Sequence, residues 1–116
     1  MIEKTILDYL NRCITEGALG IKAYMERPSN RPSSYVLIEK TGGGEDNHIK
    51  HSTLAIQSIG KTLYEAASLN ESVKDFMRDA ISLDEVAKVE LNSDYNFTDT
   101  STKEYRYQAV FDLTHY

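Results

Sequence analysis

A single cysteine, Cys13, is the chain's whole supply of thiol. It leaves no internal disulfide possible, and it excludes the paired cysteines of structural zinc sites. Its apolar neighbourhood marks it as a small core residue rather than a nucleophile. Long apolar runs are also missing: nothing approaches the ~20 residues that a membrane-spanning helix needs. The opening "MIEKTILDYL" carries acids and lacks a basic region, a long apolar block and a cleavage site, so it does not read as a signal peptide. Synthesis inside the cell is expected, and there the glycosylation patterns at Asn70-Glu71-Ser72 and Asn96-Phe97-Thr98 carry no meaning. Basic clusters are absent as well, and the net charge is −5 at pH 7. Gripping a phosphate backbone requires several Lys or Arg on one face. The charge therefore argues against a nucleic-acid grip. It is compatible with standing beside DNA, because an acidic surface repels DNA and lets it slide past.

What is present fits one domain with one core: 116 residues, with apolar and charged fractions ordinary for a globular chain. Ile2, Ile6, Tyr9, Leu10, Cys13 and Ile14 recur at helical spacing and predict an amphipathic helix from Ile2 to about Thr15, ended by Gly17 and Gly20. "IKAYMER", Ile21 to Arg27, alternates apolar and polar as a half-buried strand does, and "PSNRPS" after it reads as a loop. "SYVLIEK" predicts a second strand over about Ser34 to Lys40, and "HSTLAIQSI" a third over His51 to Ile59. After Gly60 the period changes. Leu63, Ala66, Ala67, Val73, Phe76, Met77, Ala80 and Ile81 fit one stripe of a helix over about Lys61 to Ala80, with a kink or recapping at Asn70. "VAKVEL", Val86 to Leu91, is a fourth strand, followed by the turn-rich "NSDYNFTDTSTK". In the last strand Tyr105, Tyr107, Ala109, Phe111 and Leu113 share one face, and Arg106, Gln108, Asp112 and Thr114 the other. Val110 is out of place on that polar face and marks a contact with a neighbour. The order of elements predicts an α+β domain spanning residues 1–116, with an antiparallel or mixed sheet of about five strands and two main helices packed mainly on one face.

Between strands two and three lies "KTGGGEDNHIKH", which holds three of the six glycines and two of the three histidines. No helix follows the glycines, so they do not form a phosphate cradle, and the stretch is expected to be a flexible hairpin loop. A better phosphate candidate is "AIQSIGKT", Ala55 to Thr62, but Ala55 stands where the motif needs glycine and Ile56 to Ile59 read as strand. The simpler reading is a strand-to-helix turn with Lys61 in solvent. His48 and His51 fall on opposite faces of a strand, and Glu45 and Asp46 would join them only if the loop folded back, so no metal is expected. His115 has no evident partner. Asp94 and Asp99 read as turn formers, and no Ser, His and Asp set has a nucleophile-elbow context. The residues themselves give an acidic α+β domain with a mobile hairpin tip, no cofactor and no visible catalytic site.

Several segments carry a resemblance. "SYVLIEKTGGGEDNHIKHSTLAIQSIGKTLYEAASLNESVKDFM" and "LDEVAKVELNSDYNFTDTSTKEYRYQAVFDLTHY" are similar to the tail-terminator, or tail-completion, proteins of long-tailed phages and prophages of Gram-positive bacteria. Its most specific parts are "LIEKTG", "LNSDYNFTDT" and "YRYQAVFD". The resemblance implies a structural, non-enzymatic virion protein, made in the bacterial host cytoplasm. It implies an α+β subunit that self-associates into a ring, often a hexamer, at the top of the tail tube. Its partners would be the tail-tube protein and the head connector, with DNA passing through unbound and neither a membrane nor a small-molecule substrate involved. A head-closure adaptor of the neck is the related alternative, and a small nucleotide- or metal-binding enzyme the alternative from another class. The resemblance gives the hairpin tip a use: Gly42, Gly43, Gly44, Glu45, Asp46, Asn47, His48 and Lys50 form a protein-interaction loop, mobile in the free subunit and ordered in the assembled neck.

Overall fold

The computed structural model of the protein describes residues 1–30 and 32–116, so the loop expected over residues 28–33 includes one position, residue 31, outside the described residues. The elements are α1 (Ile2–Glu16), β1 (Ala23–Tyr24), β2 (Tyr35–Asp46), β3 (Ile49–Gly60), α2 (Leu63–Arg78) with a following 3-10 turn (Asp79–Ser82), β4 (Val86–Asn96) and β5 (Tyr105–His115). The strands form one sheet in the order β1-β2-β3-β5-β4. β1 runs parallel to β2 and every other neighbouring pair is antiparallel. The sheet is therefore mixed, and the fold is the expected α+β.

Register explains the layering. Ile38, Ile56 and Ala109 lie in one cross-strand row, and Leu54 and Phe111 in the next. These side chains meet Ile6, Leu10 and Ile14 of α1 and Leu69, Val73 and Met77 of α2 in one core. Both helices thus cover the same face of the sheet. Among the described residues the other face carries no helix, yet it is not the wet polar face expected from β5. Gln57 and Gln108 are buried there, and Gln57 Nε2 donates to Gln108 Oε1 at 3.0 Å. Val110 is half-buried opposite Ala55, so its neighbour lies within the chain.

The structure moves four boundaries. The first strand is two residues, not seven: Ala23 and Tyr24 pair only with Val36 and Leu37. α2 runs without a break through Asn70, whose side chain is 1% exposed against the sheet. Leu69, Val73 and Met77 anchor that stripe, and their burial outweighs the weak helix propensity of one Asn. β4 continues past Leu91 to Asn96, so Asp94 is a strand residue rather than a turn former.

The fourth correction concerns the glycines. Residues 41–51 are not a loop. β2 continues through Gly42, Gly43 and Gly44, which pair with Thr53, Ser52 and His51 after a bulge beyond Lys40. β3 is in turn paired with β5 from Lys50 to Gly60. That ladder gives the glycine segment a firmly held partner strand, which outweighs the glycines' poor strand propensity. The connection is only Asn47-His48, with φ of 49° and 67°, as in the two-residue turn that suits the twist of a hairpin. Asn tolerates this left-handed conformation through its short polar side chain, whereas the bulkier His adopts it at a steric cost. We expect His48→Gly to stabilise the protein by about 1 kcal/mol, read as a rise in the urea midpoint with an unchanged slope.

Candidate functional site

Each feature singled out in the sequence has a definite place. Lys61-Thr62 forms the turn into α2. Thr62 Oγ1 accepts from the Glu65 backbone N–H at 3.1 Å and caps the helix, while Ser34 Oγ donates to the Glu65 carboxylate. This is the strand-to-helix turn, with Lys61 exposed. His48 sits at the hairpin turn. His51 lies on β3, where its Nδ1 is 3.4 Å from Thr114 Oγ1. Neither meets Glu45 and Asp46 in a ligand set: among the described residues no three His, Cys, Asp or Glu side chains gather. Asp99 is the turn former it was read to be. Hydrogen bonds from the hydroxyl of Ser101, and then from Thr102, hold its carboxyl down at about 2. Asp94 instead accepts from Lys74 Nζ at 3.1 Å and ties β4 to α2. Lys74 also pairs with Glu71, and its hydrogen bonds to Glu71 and then to Asp94 raise its pKa against its burial.

His115 does find a partner, one that spacing alone does not reveal. Its Nε2 lies 2.7 Å from Ser52 Oγ in the core layer. The pair is buried, with Ser52 3% and His115 5% exposed, so the hydroxyl is closed to a substrate and the contact is structural. Burial pushes the His115 pKa below its ordinary value of 6.5, and Lys50, Lys40 and His51 add to the effect against the Tyr116 carbonyl. The unfolded chain therefore takes up this proton more readily than the folded one. Stability contributed by neutral His115 is full above pH 6.5 and declines as the pH falls below it. We expect His115→Gln to remove part of the stability loss seen on acidification from pH 7 to pH 5, measured by thermal melts at each pH. An unchanged acid slope would show that His115 is not the group responsible.

The surface that remains is built from backbone. Residues 39–51 are exposed throughout. β1 covers β2 only at Val36 and Leu37, and among the described residues nothing pairs with the outer side of β2 from Glu39 to Asp46. β1 itself is closed on its far side by α1. Asn11 Oδ1 accepts from the Ala23 N–H at 2.8 Å, and Asn11 Nδ2 donates to the Ala23 carbonyl at 3.2 Å. At the opposite limit, among the described residues, β4 also has no outer strand. No protein-family model matches the chain, and no curated protein matches it significantly.

The predicted interaction residues Gly42 to Lys50 are thus brought together, as two paired strand ends and a tight turn rather than a free loop. The sequence reading missed the β4 edge. Its signal was there in Leu91, the last residue of the predicted strand, and in Tyr95 and Phe97, apolar groups in the segment read as turns; they are 45%, 41% and 39% exposed.

The loop from β4 to β5 is held down on the helix-free face. Arg27 Nη1 donates to Glu104 Oε2 at 2.9 Å and to the Tyr35 hydroxyl at 3.0 Å. Arg106 Nη1 reaches Glu104 Oε1 at 3.1 Å and its guanidinium lies 4.7 Å from the centre of the Phe97 ring. This clamp fixes the lower end of the β4 edge.

Proposed function

We propose that this protein is a structural subunit that self-associates into a ring, in the role of a phage tail terminator that closes the tail tube and joins it to the head. The observation that carries the self-association is the unpaired outer edge of β2 from Glu39 to Asp46, a row of strand N–H and C=O groups exposed on a fold that closes its neighbouring edge at β1 with Asn11. Such an edge is a template for another chain. The phage role rests on the resemblance of the three segments, which fall on β2, on the end of β4 with its loop, and on β5. The net charge of −5 suits a ring through which DNA slides without being gripped. The partners on this reading are further copies of the chain, the tail-tube protein and the head connector, and the location is the virion neck.

Negative-stain electron microscopy of the purified protein tests the ring, with closed rings of one copy number expected. A protein that stays monomeric at every concentration removes this reading. The phage role is tested by deleting the gene from its phage: particles with headless tails or overlong tails are expected, and full infectivity without the gene would overturn it.

A further inference from the structure

The sheet has two open limits, and they differ in chemistry. Along β2, Gly42 and Gly44 leave the edge bare: a Cβ on Gly44 would meet nothing within 4 Å, and one on Gly42 only the Thr53 side chain at 3.9 Å. Along β4 two large apolar side chains stand out among polar ones, with Leu91 45% and Tyr95 41% exposed. Leu91 pairs with the core residue Phe111, so it points to the helical side, whereas Tyr95 pairs with Gln108 on the helix-free side. The bulk that Leu91 and Tyr95 place on the two faces of β4 fits beside the stretch of β2 where its glycines carry none.

Strand polarity adds a second, independent constraint. β2 to β3, β3 to β5 and β5 to β4 are three successive antiparallel steps, so β2 and β4 run in opposite directions. Rotation about an axis along the strands preserves up and down. It therefore places β4 of one copy antiparallel to β2 of the next, continuing the alternation of the sheet. One cross-strand row, Gly44–His51–Thr114–Lys88, traverses the sheet from edge to edge on the helix-free face. A pure rotation brings Lys88 beside Gly44 of the neighbour, with Asp46 on the same face two residues further along β2. Two-fold pairing of β4 with β4, or of β2 with β2, satisfies one edge and leaves the other open. Head-to-tail pairing satisfies both, and it is the arrangement that closes into a ring.

We infer that β4 of one copy pairs antiparallel with residues 39–46 of β2 in the next copy, making the sheet continuous around the ring. The inference rests on the ring reading above and names its interface.

Cross-linking tests it in the full chain. Gly44→Cys and Lys88→Cys are made singly and together in a Cys13→Ser background, and treated with a short bis-maleimide. Gly44 has open space around it and Lys88 is exposed, so neither change disturbs the fold. The double variant is expected to give a ladder of covalent oligomers ending at the copy number seen by microscopy. Each single variant is expected to lose the ladder and run as monomer. Dimers from Lys88→Cys alone would overturn the proposal in favour of two-fold β4 pairing. Intact rings without a ladder in the double variant would overturn it while leaving the ring reading in place. If no rings form in the unmodified protein, the ring reading fails and the interface fails with it.

Discussion

Replacing Gly60 with Ala is expected to cost about 3 kcal/mol or more of folding stability, through overpacking at one point. Gly60 is the last residue of β3, buried where the chain turns into α2. A Cβ there would lie 2.6 Å from the Ala66 nitrogen and 3.1 Å from both the Ala66 Cα and the Glu65 carbonyl carbon. These are backbone atoms of the first turn of a helix that Thr62 caps and Glu65 ties to Ser34. No flexible side chain can swing away, so the helix must shift against the sheet. The constraint is space rather than conformation, because Gly60 does not adopt a left-handed φ. Gly44→Ala is the control. Its Cβ enters open space, and a loss of chain freedom in the unfolded state should make it neutral or stabilising by about 0.5 kcal/mol. Urea denaturation of the two variants reads the difference as opposite shifts in midpoint. A loss below about 1 kcal/mol for Gly60→Ala would mean that α2 is free to slide from the end of β3.

That contrast also shows what the sequence makes legible. A glycine between a strand and a helix announces a turn, and Gly60 does mark one. The close approach of Ala66 is a tertiary fact that no local window contains. The triple glycine shows the reverse. Its composition argues for a loop, and the argument fails because β3 already has β5 on one side over eleven paired positions, Lys50 to Gly60. A strand so firmly held recruits its hairpin partner along its length. Thr53 Oγ1 donating to Asp112 Oδ1 at 2.8 Å adds a side-chain rung to that ladder.

Helix α1 and strand β5 were legible nearly to the residue because their periods are strong and their apolar faces complete. The first strand was not, because alternation over seven residues says nothing about how many of them find a partner. The resemblance offered Gly42 to Lys50 as an interaction loop and their glycines suggested mobility, but their conformation was misread. The β4 edge was overlooked because Asn92, Ser93, Asp94 and Asn96 look like turn residues. They form a strand because β5 presents a complete edge to them, with Asp94 opposite Ala109 and anchored on Lys74.

Truncating Phe111 to Ala is expected to cost about 3–5 kcal/mol. β5 lies between β3 and β4, and Phe111 is paired with Leu54 on one side and Leu91 on the other. Its ring is 2% exposed and belongs to the core shared with Val73 and Met77 of α2. Removing it takes away the ring's burial and leaves a cavity beneath a rigid helix, and the two penalties add. Domains of this size have a total stability of about 5–15 kcal/mol, so the variant should be partly unfolded at ordinary temperature or melt far below the parent. Val110→Ala is the companion measurement on the opposite face of the same strand. Val110 is half-buried beside Ala55, and its truncation should cost no more than about 1.5 kcal/mol. Chemical denaturation of both variants, compared at constant slope, separates the two faces. A loss below about 1 kcal/mol for Phe111→Ala, or a larger loss at Val110 than at Phe111, would place the packed core on the wrong side of the sheet. It would also overturn the assignment of the helix-free face as the one that carries the open row from Gly44 to Lys88.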